Sequence, residues 1–295
     1  MTRILEALRR FRGEGADGAS GALPEGHTSE SPQPPEAWPP GFEHLAVCSH
    51  ARPQDRLVGS SQNHDLAAEK FRFLRHRLNQ QRQHRPLSRL LVTSSVPKEG
   101  KTLVSVNLAL SLARSAPRVL IVDADMRLPG VERILGLGPL PGLAEFLEGT
   151  LDLRAAIRRV DPFGLYYLAA GRTSRNPFEL LQGPRLRELA MLTAPAFDWV
   201  IFDSPPLVPF ADAHSLATVA DSILLVVRQG VTPRESLDQA LAALNGEHVT
   251  GVVLNASDDA RQDRHYYQYY PRPPVKRNAG KASALPPRNE KGVKR

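Results

Sequence analysis

A single cysteine, Cys48, in 295 residues excludes an intramolecular disulfide and any multi-thiolate zinc or iron–sulfur site, and it points to a reducing compartment. No apolar run approaches the roughly 18 residues that a membrane span needs. The N-terminal MTRILEALRRFR also lacks the apolar stretch of a secretory signal. A cytoplasmic chain is expected, reaching any membrane only through something else. Aromatics are scarce, at 6%, and excess charge is confined to one end. Residues 271–295 carry eight Lys or Arg against one acid, Glu290, which accounts for the whole net charge of +7. A basic face for nucleic acid is therefore not expected on the folded part, and no nucleic-acid partner is assigned. What is present is 41% hydrophobic content, enough for a core, so a wholly disordered or fibrous chain is excluded.

Residues 1–12 read as a short basic amphipathic helix, with Ile4, Leu5, Leu8 and Phe11 on one face. It is either a solvated helix or a contact for an anionic membrane or a partner. Residues 13–64 are rich in Gly, Ser, Pro and Glu without apolar periodicity and read as a disordered linker. Over residues 65–265 short apolar strands alternate with helical stretches. Strands are predicted at Arg89–Thr93, Arg118–Val122, Leu165–Ala169, Trp199–Phe202, Ser222–Val227 and Gly251–Leu254. Runs such as VLIV, WVIF and ILLVV are apolar on both strand faces, as in a parallel sheet covered by helices on each side. The fold class expected is α/β with a mostly parallel sheet. Residues 266–295 read as a tyrosine cluster and a disordered basic tail.

After the first of these strands comes SSVPKEGKT, Ser94–Thr102, running into a helical pattern. Such a loop suits a phosphate cradle. Gly100 lets the backbone approach an anion, amides at the helix N-terminus donate to it, the loop through Ser95, Pro97, Lys98 and Glu99 to Leu103 surrounds it, Lys101 reaches the β- and γ-phosphates, and the Thr102 hydroxyl can bind Mg²⁺. The motif departs from Gly-x-x-x-x-Gly-Lys-Ser/Thr at Ser95. The second strand ends in VLIVDADMR and the fourth in WVIFDSPP. Asp123, Asp125, Arg127 and Asp203 then fall at strand carboxyl ends, where ligands sit in doubly wound sheets. Each acid alone reads equally as a helix cap or turn residue. Together they point to ATP and Mg²⁺, with Thr102, Asp123 and Asp203 as metal ligands.

Four of the six tyrosines, Tyr266, Tyr267, Tyr269 and Tyr270, lie in HYYQYY, polar-flanked and beside the tail. They read as phosphoacceptors or as an aromatic patch packed on a domain edge. Glu69, Arg72 and Arg75, at i, i+3 and i+6, form a charged helix stripe with a local ion pair.

These motifs resemble the bacterial tyrosine kinases of capsule and exopolysaccharide export, in the class with a separate cytoplasmic kinase chain. The resemblance spans about Glu69 to Tyr270, with SSVPKEGKT as a variant Walker A, VLIVDADMR as Walker A′ and VIFDSPP as Walker B. Related partition and cell-division ATPases carry a signature Lys where this chain has Val96. The resemblance implies an ATP-dependent tyrosine autokinase that phosphorylates the cluster of a neighbouring subunit, Asp123 as the base, and Asp125 as a second metal or acceptor contact. Arg127 would be a charge partner, and Asn255 would read adenine, though a turn residue fits equally. Glu69, Arg72 and Arg75 match the family's Glu-x-x-Arg-x-x-Arg ring-contact motif. Implied partners are a homo-oligomeric ring, a separate transmembrane chain-length regulator that recruits and activates the kinase at the inner membrane face, and a phosphotyrosine phosphatase. A P-loop ATPase switch and a nucleotide-dependent scaffold are the alternatives.

Overall fold

The computed structural model describes residues 38–43, 45–48, 57, 66–116, 118–161, 163–244 and 249–257. The predicted 1–12 helix, most of the predicted linker and the 266–295 tail lie outside them. In chain order the elements are β1 (Ala46–Cys48), α1 (Leu66–Arg82), β2 (Arg89–Ser94), α2 (Lys101–Ala113), β3 (Val119–Asp123), α3 (Val131–Leu135), α4 (Leu143–Glu148), α5 (Leu153–Ala156), β4 (Arg158–Val160) and β5 (Leu165–Leu168). There follow α6 (Pro177–Gln182), α7 (Pro184–Thr193), β6 (Trp199–Asp203), α8 (Asp212–Ala217), β7 (Ser222–Arg228), α9 (Arg234–Ala243) and β8 (Val249–Asn255). The strands form one sheet in the order β1-β4-β5-β3-β6-β2-β7-β8. Every pair is parallel except β4 with β5.

Alternation along each strand builds two cores, one per face. Leu91, Leu120, Val122, Val200, Phe202 and Leu225 pack with α4 to α9 on one side. Leu90, Val92, Ile121, Ile201, Leu224 and Val226 pack with α1, α2 and α3 on the other. Each such side chain contributes about 1.5–3 kcal/mol of burial, which is why the doubly apolar runs commit these segments to the sheet interior. All six predicted strands are present, with ends shifted by no more than two residues.

Two strands were not expected. β4 reads RRV and pairs antiparallel with β5; it is too short and too basic to show a pattern. β1 overturns the linker expectation over residues 38–43 and 45–48: it pairs with β4, while Trp38, Phe42 and Leu45 join the core. Trp38 meets Tyr166 edge-on at 5.3 Å and Phe197 at 5.7 Å. Leu57, also within the expected linker, is buried in the opposite core. Prolines set the composition of this stretch, but a few well-spaced apolar side chains suffice to anchor it.

For function the decisive feature is register. Val92 of β2 and Asp123 of β3 each pair with Asp203 of β6. The carboxyl ends of three neighbouring strands therefore finish at one level, and the loop after β2 rises beside two acids.

Candidate active site

Ser95–Gly100 turn the chain from β2 into α2. Gly100 caps the helix at φ 90°, a left-handed conformation, and a Cβ there would sit 2.2 Å from Asn255 Nδ2, so only glycine fits. Lys98 takes φ 67° without that freedom. The loop is held from within by Glu99, whose side chain is fully buried. Its Oε2 accepts the Val96 amide at 2.9 Å, and its Oε1 accepts the Thr232 hydroxyl. Pro97 and Lys98 are exposed on the outer surface of the loop, and Ser95 is buried with an unpartnered hydroxyl among the described residues. No side chain caps α2, which leaves the amides at its first turn, through Thr102 and Leu103, for an anion.

Lys101 Nζ stands 2.8 Å from Asp125 Oδ2, both side chains largely buried. Burial pulls the pKa of this ammonium down, but Asp203, Asp125 and Asp123 together outweigh it and hold it above the ordinary lysine value. Asp125 also accepts the Leu128 amide at 3.0 Å. Asp123 Oδ2 accepts the Gly130 and Val131 amides, each at 3.0 Å, which begins α3. Burial above all, and then the neighbouring Asp203, push the Asp123 carboxyl up to about 8 against the opposing pull of those amides. Asp203 is raised by burial too, while Lys101 and the hydroxyls of Thr102 and Ser105 restrain it. Ser105 donates to its Oδ1 at 2.9 Å. The other oxygen, Oδ2, is buried with no hydrogen-bond partner among the described residues.

The structure thus brings Lys101, Thr102, Asp123, Asp125 and Asp203 into one crevice. Arg127 borders it and is committed elsewhere. It makes a two-pronged pair with Asp212 at 2.7 and 3.0 Å and stacks over Phe210 at 4.6 Å. Asn255 lies against the loop, its Nδ2 donating to the Glu99 carbonyl at 2.8 Å and its Oδ1 accepting the Ala256 amide. Glu69, Arg72 and Arg75 are not in the crevice but on α1. Glu69 pairs with Arg72, and Arg75 donates to the Ser111 carbonyl of α2 at 2.7 Å. The tyrosine cluster lies outside the described residues.

Sequence reading missed Ser105, Asp212 and Thr232. Ser105 follows Lys101 by four residues, one helical turn, and that spacing was a usable signal. Asp212 and Thr232 reach their partners across 85 and 133 residues, with no local trace.

The donor set of two carboxyls and a hydroxyl consists of hard oxygens, and the unpartnered Asp203 Oδ2 points to one more ligand. This fits magnesium, which takes one or two carboxylates and fills its octahedron with water and phosphate. Among the described residues no cluster of three or more His, Cys, Asp or Glu is spaced to cage a metal by itself.

No family model matches the chain. Among curated proteins it is similar to the tyrosine-protein kinase YwqD of Bacillus subtilis, 31% identical over 219 residues that cover 74% of this chain and 92% of that protein. It is 30% identical over 221 residues to the tyrosine-protein kinase Wzc of Salmonella typhimurium, covering 73% of this chain and 31% of that protein. Similarity to the succinoglycan biosynthesis transport protein ExoP of Rhizobium meliloti is 36% over 174 residues, covering 57% and 22%. The chain therefore spans nearly all of the Bacillus relative and about a third or less of the other two. Of the solved structures, the kinase domain of the Escherichia coli tyrosine kinase ETK superposes with a TM-score of 0.64 at 28% identity, over 70% of this chain and 82% of that one. The BceF tyrosine kinase domain gives 0.61 at 31% identity, over 68% and 83%.

Proposed function

Because this chain belongs to the bacterial tyrosine-protein kinase family, we propose that it transfers the γ-phosphoryl group of ATP to Tyr266, Tyr267, Tyr269 and Tyr270 of a neighbouring copy. The observation that carries the proposal is the register-matched pair Asp123 and Asp203, beside Lys101 at the foot of an uncapped helix. Phosphoryl transfer asks for positioning and charge neutralisation more than for covalent chemistry. The α2 amides and Lys101 bind and orient the β- and γ-phosphates, with the phosphates displacing Asp125 as the partner of Lys101. Thr102, Asp203 and Asp123 would hold magnesium, which when bound neutralises charge on the phosphoryl oxygens. Asp123 takes the phenolic proton as the tyrosyl oxygen forms its bond to the γ-phosphorus and the bond to the ADP oxygen breaks. A positioned carboxylate is needed there because a free phenol, with a pKa of about 10, keeps its proton at neutral pH.

Exopolysaccharide assembly is the setting that the name of ExoP suggests. None of the described helices is long and apolar enough to cross a membrane, so recruitment through a membrane-spanning chain-length regulator belongs to the same proposal. So do a ring formed through the α1 stripe and a phosphatase that resets it. Replacing the four tyrosines by Phe tests the acceptor. Labelling from γ-labelled ATP is expected to vanish while nucleotide binding persists, and undiminished labelling would contradict it. Sedimentation of the same preparations reads the ring, and a monomer at all concentrations would remove it.

A further inference from the structure

The turn between β7 and α9 is tied into the phosphate loop, although nothing in the chemistry above requires it. The Thr232 hydroxyl accepts the Arg228 amide at 2.9 Å and donates to Glu99 Oε1. The Arg228 guanidinium donates to the Lys98 carbonyl at 3.2 Å, and Asn255 donates to the Glu99 carbonyl at 2.8 Å. On the loop side, the second oxygen of the buried Glu99 accepts the Val96 amide. Glu99 thereby joins the start of the loop to the turn after β7 through its buried carboxylate, and to the end of β8 through its backbone carbonyl.

The backbone of the loop explains why such a tie is needed. Lys98 has φ 67° in a side-chain-bearing residue, a conformation that L-residues avoid because Cβ crowds the backbone. A strained loop of this kind keeps its shape only where its surroundings over-determine it. Here the surroundings are Thr232, Arg228 and Asn255, from outside the loop.

Resting on the nucleotide reading above, we propose that Thr232 is a positioning residue: with Glu99 it forms a latch that presets the phosphate loop for the nucleotide. Its contribution falls on binding rather than on transfer, because a preset loop needs no ordering when the ligand arrives. A loop that holds the competent shape only a tenth of the time weakens apparent affinity about tenfold.

The test compares Thr232→Val, which keeps volume but removes the hydroxyl, with Thr232→Ser, which keeps the hydroxyl, in the full chain. Hydrogen exchange over residues 94–103 in the nucleotide-free protein is expected to quicken about tenfold in Thr232→Val and to stay at the wild-type rate in Thr232→Ser. In the same variants the KM for Mg-ATP should rise about tenfold in Thr232→Val, with kcat at saturating ATP within about twofold of wild type. Unchanged exchange over 94–103 in Thr232→Val would overturn the latch. So would faster exchange spread across the whole sheet with a fallen kcat and an unchanged KM, since that describes a general loss of fold. A wild-type chain that protects 94–103 but binds no Mg-ATP would sink the nucleotide reading instead, and the exchange comparison would still decide the latch.

Discussion

Asp123 and Asp221 both sit at strand ends of the same sheet, and the protein treats them in opposite ways. Asp221, just before β7 at the amino end of the sheet, accepts the Ser88 and Arg89 amides at 2.9 and 2.8 Å, the Ser88 hydroxyl, and the Arg89 guanidinium. Burial alone would raise its pKa; Arg89 and those amides overcome it and hold the carboxyl below the ordinary aspartate value. Asp123, at the carboxyl end, receives three amides but faces Asp203 across the register, and its pKa rises to about 8. The amino end spends its polar groups on satisfying one another. At the carboxyl end charge is left unrelieved, which is the condition for binding a cation and moving a proton.

Replacing the acid at each end should therefore separate activity from stability. At the carboxyl end, Asp123→Asn is expected to lower tyrosine phosphorylation by about 10²- to 10⁴-fold. The same change should stabilise the nucleotide-free protein at pH 8 by several kcal/mol, since each unit of that rise in pKa is worth about 1.4 kcal/mol. The sign follows from linkage. A carboxyl whose folded pKa lies above its unfolded value favours folding fully below the unfolded pKa, near 4, and loses that contribution as pH rises towards 8. The advantage of the variant should accordingly grow between pH 4 and 8 and then level off, which denaturant titrations across that range would measure. An advantage independent of pH would break the contrast.

At the amino end, Asp221→Ala should cost about 2–3 kcal/mol, because the Ser88 and Arg89 donors lose their acceptor. Activity per folded molecule should stay unchanged. Here the folded pKa is depressed, so the contribution is present above the unfolded value near 4 and fades as pH falls through the lower folded pKa. The gap between wild type and variant should narrow in strong acid to the part owed to hydrogen bonds that the neutral carboxyl still accepts, and a gap of undiminished size there would show that charge is not its source. The smallest effect concerns backbone strain at the carboxyl end. Lys98→Gly removes the crowding at φ 67° and is expected to stabilise by about 0.5–1 kcal/mol after the extra chain entropy of glycine, read as a small rise in melting temperature. A destabilised variant would mean that Lys98 makes a compensating contact.

The same contrast explains what the sequence made legible. The six long strands were readable because burial on both faces writes itself into consecutive residues, as in VLIV and WVIF. β1 and β4, three residues each, lie at or near the sheet edge and carry no such run. Lys101, Thr102, Asp123 and Asp203 were readable because the two acids end apolar strands and the Lys-Thr pair opens the helix that follows one. The partners that fix them were not: Arg127 finds Asp212, and Glu99 finds Thr232, only after the chain has folded. Asn255 was read by position as an adenine contact, and the structure sets it against the phosphate loop, where its amide holds the Glu99 carbonyl. Side-chain pairs that close over more than eighty residues leave no periodicity to read.

The central claim, that this crevice phosphorylates the tyrosines beyond β8, is tested most directly by mass spectrometry of the purified chain after incubation with Mg-ATP, alongside Lys101→Met. The expected result is phosphate on Tyr266, Tyr267, Tyr269 or Tyr270 in the wild type and none in the variant. ADP formed without any tyrosine phosphate, with a candidate activator's cytoplasmic segment present, would contradict it.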